Sequence, residues 1–163
     1  MGQILTQGGS FDVVGIGYRA NTSFQSVAIG SEAIAGWHNS THSTGYSVAV
    51  GYQADANSGT ATAIGARSKA GVGATALGTF ANASGRSSVS LGPATSSGNQ
   101  SVAAGDSAKA SATNATAIGT FAKASGVSSI AMGFVSNATG ENAIAIGNVS
   151  QALANNTISI GHG

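Results

Sequence analysis

The residues best suited to chemistry are few and widely spaced. The stretch Trp37-His38-Asn39-Ser40-Thr41-His42 holds the single tryptophan and two of the three histidines. Two histidines four apart can grip zinc from one face of a helix, but this Ser/Thr/Asn-rich segment reads as a loop and offers no carboxylate as third ligand. A solvated pair is the simpler reading, and no metal is expected. The five carboxylates, Asp12, Glu32, Asp55, Asp106 and Glu141, fall at scattered turn or variable positions. Paired acid–base work needs two of them within reach of each other. No G-x-S-x-G phrase occurs despite abundant serine. Gly15-Ile16-Gly17-Tyr18-Arg19-Ala20 and Gly71-Val72-Gly73-Ala74-Thr75-Ala76 mimic a dinucleotide fingerprint. Neither opens a helix or sits in a βαβ unit, so turn glycines explain both. No catalytic residue and no cofactor is expected, and the chain reads as non-enzymatic.

Composition narrows the class further. The 163 residues carry six Lys and Arg against five Asp and Glu, a net charge of +1. Without a basic field to gather phosphates, neither nucleic acid nor an anionic membrane is an expected partner. Gly is 25 and Pro 1, without the three-residue period of collagen. Cysteine is absent, which removes disulfides and thiolate metal sites. No apolar run approaches the ~20 residues of a membrane helix. The opening Met1-Gly2-Gln3-Ile4-Leu5-Thr6 lacks the basic and apolar regions of a signal peptide. The expectation is either a piece of a longer secreted protein or a chain made in a cytoplasm and released by lysis. The finish, Gly161-His162-Gly163, follows a strand phrase directly, which suggests a longer parent chain or an end docked on a partner.

What organises the chain is a repeat. Val27-Ala28-Ile29-Gly30, Val48-Ala49-Val50-Gly51, Thr62-Ala63-Ile64-Gly65, Thr116-Ala117-Ile118-Gly119 and Ile144-Ala145-Ile146-Gly147 are copies of one phrase, and Val14-Gly15-Ile16-Gly17 is a degenerate first copy. The phrase glycines follow one another at 13 or 14 residues, apart from one interval of 21. Apolar or β-branched residues one and three before the glycine alternate with a small one, the period of a strand. Past the glycine, the third and fifth residues are small, as in Ala33 and Ala35, Thr95 and Ser97, or Ala122 and Ala124. That is a second short strand, followed by a second turn such as Ser84-Gly85 or Ser125-Gly126. One repeat is therefore strand, glycine turn, strand, turn: a coil whose copies stack at ~4.8 Å into a rod roughly 50 Å long. The organisation expected is a lead-in over 1–13 and a solenoid over 14–163, interrupted by a loop insert at about 37–45.

The large residues before each glycine are expected to face the small pair of the opposite strand inside the coil. The residue two before the glycine then points outward, and this row is Ala28, Ala49, Ala63, Ala76, Ser90, Ala103, Ala117, Ala131, Ala145 and Ser159. So uniform a column of small side chains implies that another backbone packs on it. A coil of 14 residues has little interior of its own, which favours association of several chains through this row.

Ser26-Val27-Ala28-Ile29-Gly30 followed by an A-x-A alternation, phased over about residues 14–161, resembles the head repeats of YadA-type trimeric autotransporter adhesins. The resemblance implies an all-β, left-handed parallel β-roll. It also implies a homotrimer, and a position on the outer membrane's extracellular face where the head attaches to host-surface or matrix ligands. The family's coiled-coil stalk has no counterpart here, since no heptads occur. The same roll is found in phage fibres and capsid-attached appendages, so a virion structural protein contacting other virion proteins is the alternative.

Two further features invite a role. Trp37, His38 and His42 lie in the insert, and a loop on a rigid scaffold often carries binding, though Trp37 merely covering the bulged groove is the plainer reading. Phe80 and Phe121 share a slot two after the turn glycine that elsewhere holds Arg19, Glu32, Gln53 and Arg67. They read as ligand contacts or, preferably, as packing across a subunit boundary. Sequons such as Asn82-Ala83-Ser84 read as turn chemistry. An ice-binding ladder is excluded because no outward column is uniformly Thr.

Overall fold

Both alternations of the repeat become strands. The computed structural model describes residues 13–23, 25–36 and 45–163. Each phrase before a glycine forms a three-residue strand, from Val14–Ile16 to Ile158–Ile160. Each alternation after it forms a two-residue strand, from Asn21–Thr22 to Gln151–Ala152. The long strands pair in parallel as one sheet of 11, the short ones as a second sheet of 10. The fold is an all-β parallel solenoid, with no helix among the described residues.

Register is kept coil by coil: Thr116, Ala117 and Ile118 lie beside Ile130, Ala131 and Met132. Differences in repeat length are absorbed at the corners. Only Gly71, Val72 and Gly73 separate the buried Ala70 and Ala74, where four residues separate Ala124 from Ser129. The chain also shortens at Gly92-Pro93, where the Ala94 amide bonds the Gly92 carbonyl at 2.7 Å instead of reaching one residue further as Ala122 does to Gly119. This shift corrects the expectation for that coil. Ala94 and Ser96 fill the small inward pair, while Thr95 is half-buried and Ser97 exposed. Across the insert the ladder continues, Ile34 beside Asp55 and Ala35 beside Ala56.

The corners join the hydrogen-bond ladder as well. Phe121 N–H donates to Asp106 O at 2.9 Å, and Ser128 N–H to Thr113 O at 3.0 Å, each from the preceding coil. Close stacking is why glycine recurs there. Gly119 has φ +122°, and a Cβ on it would lie 2.6 Å from the Gly133 carbonyl oxygen of the next coil. In most coils two other residues take left-handed backbone without being glycine, including Val135 and Val149 at φ 56° and 59°. That conformation costs a residue with a Cβ about 1–2 kcal/mol and suits Asn or Gly far better than a β-branched side chain.

The inside of the coil overturns one expectation. Ala28, Ala49, Ala63, Ala76, Ala103, Ala117, Ala131 and Ala145 are all 0% exposed in the single chain. The row is the solenoid's own core and not an outward surface for sister chains. It shares the interior with the small pair of the opposite strand and with a fourth small residue four before the glycine, so one coil contributes Ala115, Ala117, Ala122 and Ala124. Strands of three and two residues joined by tight corners bring the sheets so close that only methyl and hydroxymethyl groups fit between them. Valine and isoleucine one and three before the glycine are turned out.

Inward serines must satisfy their hydroxyls. Ser88 Oγ donates to Gly85 O at 2.7 Å, Ser101 Oγ to Gly98 O at 2.7 Å and Ser90 Oγ to Ala94 O at 2.7 Å. Ser129 and Ser150 are equally buried, but their hydroxyls find no partner. Ser129 stands where other coils carry Ala115 or Ala143. Replacing Ser129 by Ala should therefore raise stability by about 1 kcal/mol, whereas Ser88→Ala should lower it by a similar amount. Urea unfolding of the two variants, followed by circular dichroism, reads the opposite signs. Ala117→Leu should lose about 3 kcal/mol in the same assay, because overpacking at one level parts the two sheets.

Candidate interaction surface

With the interior filled by small residues, each sheet keeps one outward face, and the two differ in chemistry. Along the short-strand sheet the outward residue of each coil is mostly polar, running Asp55, Lys69, Asn82, Thr95, Lys109, Lys123, Asn137 and Gln151. Lys69 Nζ lies 3.9 Å from Asp55 Oδ2. This side chain pattern suits water.

The long-strand sheet is the reverse. Its outward residues come in pairs, Val27 and Ile29, Val48 and Val50, Thr116 and Ile118, Ile130 and Met132, Ile144 and Ile146, and no charged residue interrupts them. Those next to the glycine are 36–40% exposed at Ile29, Ile64, Leu77, Leu91, Ile118 and Met132. At ~4.8 Å per coil the strip is about 50 Å long. Contiguous apolar patches of such extent are uncommon on monomers and mark contact sites. Parallel sheets, moreover, are normally covered on both faces.

Next to this strip runs the glycine corner. Its first coils carry a polar chain. Gln53 Nε2 donates to Glu32 Oε2 at 2.7 Å and Arg67 Nε to Gln53 Oε1 at 3.2 Å. The Arg67 guanidinium carbon lies 5.8 Å from the ring centroids of both Tyr52 and Phe80, a cation–π arrangement across three coils. Further along, Phe121 meets Phe134 edge to face, 6.4 Å between centroids at 77°. Phe80 and Phe121 are both more than half exposed in the single chain.

The remaining expected site residues, Trp37, His38 and His42, lie outside the described residues. Glu32 accepts from Gln53, Asp55 faces Lys69 and Asp106 accepts from the Ser107 hydroxyl at 3.0 Å, so these carboxylates stand in separate local settings. Among the described residues no three His, Asp or Glu side chains gather closely enough to hold a metal ion.

Reading the alternation with the wrong face inward hid the apolar strip. The signal that would have found it is the residue four before each glycine, which is small in every coil after the first, as in Ser47, Ala61, Ala74, Ser88 and Ala115. It shares parity with the alanine row. All four small slots therefore belong to one interior, leaving the β-branched positions outside. Phe134, Val135 and Val149 were also missed: the slot two after the glycine was singled out for its phenylalanines alone, and the two valines in the same slot were passed over.

Comparison with known families agrees with this architecture. The model of the YadA head domain repeat matches residues 45–68, 70–95, 96–122, 110–136, 124–150 and 138–163. The last three matches begin one coil apart. No curated protein matches the chain. With matches over most of its length, phased to its own coils, the chain belongs to the YadA head domain repeat family, a family of structural adhesin repeats and not of enzymes.

Proposed function

We propose that the chain is the head of a trimeric surface adhesin, in which three copies close their apolar strips around a common axis and turn their polar sheets outward. The observation that carries this reading is the contrast between the two outward faces of one solenoid. Covering a strip of Val, Ile, Leu and Met gains roughly 25 cal/mol for each Å² removed from water. Burying the lysine-bearing sheet instead would strand charges. Family membership supports the same arrangement, and YadA-type heads are typically exposed on the cell surface.

Such an assembly attaches through repetition. A rigid rod presents each outward residue three times, and contacts too weak to hold singly act together through high effective concentration. Ligands on a host surface or matrix would meet the polar sheet and the corners, while the apolar strip stays dry. No step of bond making is involved.

Sedimentation equilibrium tests the assembly. The full chain should sediment at three times its 15.6 kDa. Ile118→Lys with Ile146→Lys, both outward on the strip, should dissociate it, whereas Lys123→Glu on the other face should not. A wild-type monomer at every concentration rejects the trimer. For attachment, the intact head on host cells or matrix-coated surfaces should outlast the dissociated variant by about a hundredfold in apparent affinity at equal chain concentration. A trimer that none of these surfaces retains would reject adhesion and leave the rod a structural spacer, as in a virion appendage.

A further inference from the structure

We infer that the C-terminal half of the glycine corner, built from Phe121, Phe134, Val135 and Val149, is a second strip of contact between copies, seated against the opposite corner of the neighbouring copy near Val127. The inference rests on the trimer proposed above and states which surfaces lock it.

The first ground is a misfit between residue type and backbone. Phe121, Val135 and Val149 hold the slot two after the turn glycine in three successive coils, at φ 59°, 56° and 59°. Left-handed backbone favours Asn and Gly, and a β-branched side chain there is a true outlier. The opposite corner is an internal control, because it needs the same backbone at the same levels. There the last six coils use Ser87, Gln100, Asn114, Ser128, Asn142 and Asn156. The backbone bonds do not ask for valine either. Val135 donates its amide to Thr120 O at 3.0 Å and Val149 to Phe134 O at 2.8 Å, bonds that Asn would make equally well. The apolar side chains are therefore held against a local preference, which is where a contact is to be sought.

The second ground is continuity. Strands carrying Ile118, Met132 and Ile146 on the apolar strip run into these corners; at the middle one only Gly133 separates Met132 from Phe134 and Val135, while Thr120 and Asn148 stand at the same point of the coils on either side. Phe134 is 54% and Val135 38% exposed in the single chain. The earlier half of the same corner carries the Glu32–Gln53–Arg67 chain instead, which suits a solvated rim.

Closure supplies the occupant. In a three-fold ring each copy offers unlike edges to its two neighbours, so the glycine corner of one faces the other corner of the next at the same level. Val127, 48% exposed, begins the coil that Phe134 turns and stands on that opposite corner.

Val135→Asn with Val149→Asn tests the idea, since Asn relieves the backbone while removing the apolar contact. The expected result is a trimer that dissociates at about tenfold or more higher concentration in sedimentation equilibrium. If instead the double variant associates as the wild type does and melts at higher temperature, the corner is free and the inference falls while the trimer stands. A second measurement uses the absence of cysteine. Val127→Cys with Phe134→Cys, treated with a short bis-maleimide, should give covalently joined copies on a denaturing gel, and each single variant should not. Only unjoined chains from the double variant of a sedimenting trimer overturn the inference. A wild-type monomer overturns both readings, and the sedimentation of the wild type alone identifies that case.

Discussion

The gap between the two sheets of each coil governs the whole molecule. Between the first and last coils it is too narrow for any side chain larger than alanine or serine, so four positions per coil are committed to those residues. That commitment explains the high Ala content and the scarcity of large hydrophobes. It also has a consequence for shape. A core made of methyl groups buries little area per residue, so stability comes from repetition, with each coil covered by the coils above and below. Hydrogen bonds run from each coil to the next, even at the corners, and glycine recurs where one turn's carbonyl lies against the next turn's α-carbon.

Because the interior rejects Val, Ile and Leu, any such residues that the strands carry stand outside, and here they line one sheet. The two sheets then specialise. One carries two outward side chains per coil drawn from Val, Ile, Leu, Met, Thr and Ala; the other carries Lys, Asp, Asn, Thr and Gln, and Ile34 in one coil, at single outward positions. A monomer with both faces polar would fold by the same internal logic, so the outward chemistry is independent information about what surrounds the rod. The corners add a third register of information, networked and charged near Glu32, Gln53 and Arg67, aromatic and aliphatic near Phe121 and Phe134.

Much of this was legible in the chain itself. Strand positions, coil length, turn glycines and the absence of helix all follow from an alternation of period two nested in a period of 13 or 14. What alternation cannot say is which parity points inward, because shifting by one residue exchanges the faces. The large-against-small packing expected of an ordinary sandwich gave the wrong choice, and Ala117 was set outside when it lies at 0% exposure. The Gly92-Pro93 corner was displaced by one residue for a related reason: glycine marks a turn but not its length. Val135 and Val149 share the slot two after the turn glycine with Phe80 and Phe121, and only φ reveals that this slot is left-handed and that valine sits where it should not.

Register across the insert has a broader meaning. Ile34 stands beside Asp55 although that interval between phrase glycines is 21 residues, and neighbouring coils manage with 13 or 14. The sheets thus keep their register when the corner opposite the glycine turn is lengthened. New segments can be hung on an edge, enlarged or exchanged one storey at a time, while the straight parts go on meeting as before. A lineage carrying such a scaffold can refit its exterior to changing surroundings without solving its folding problem again.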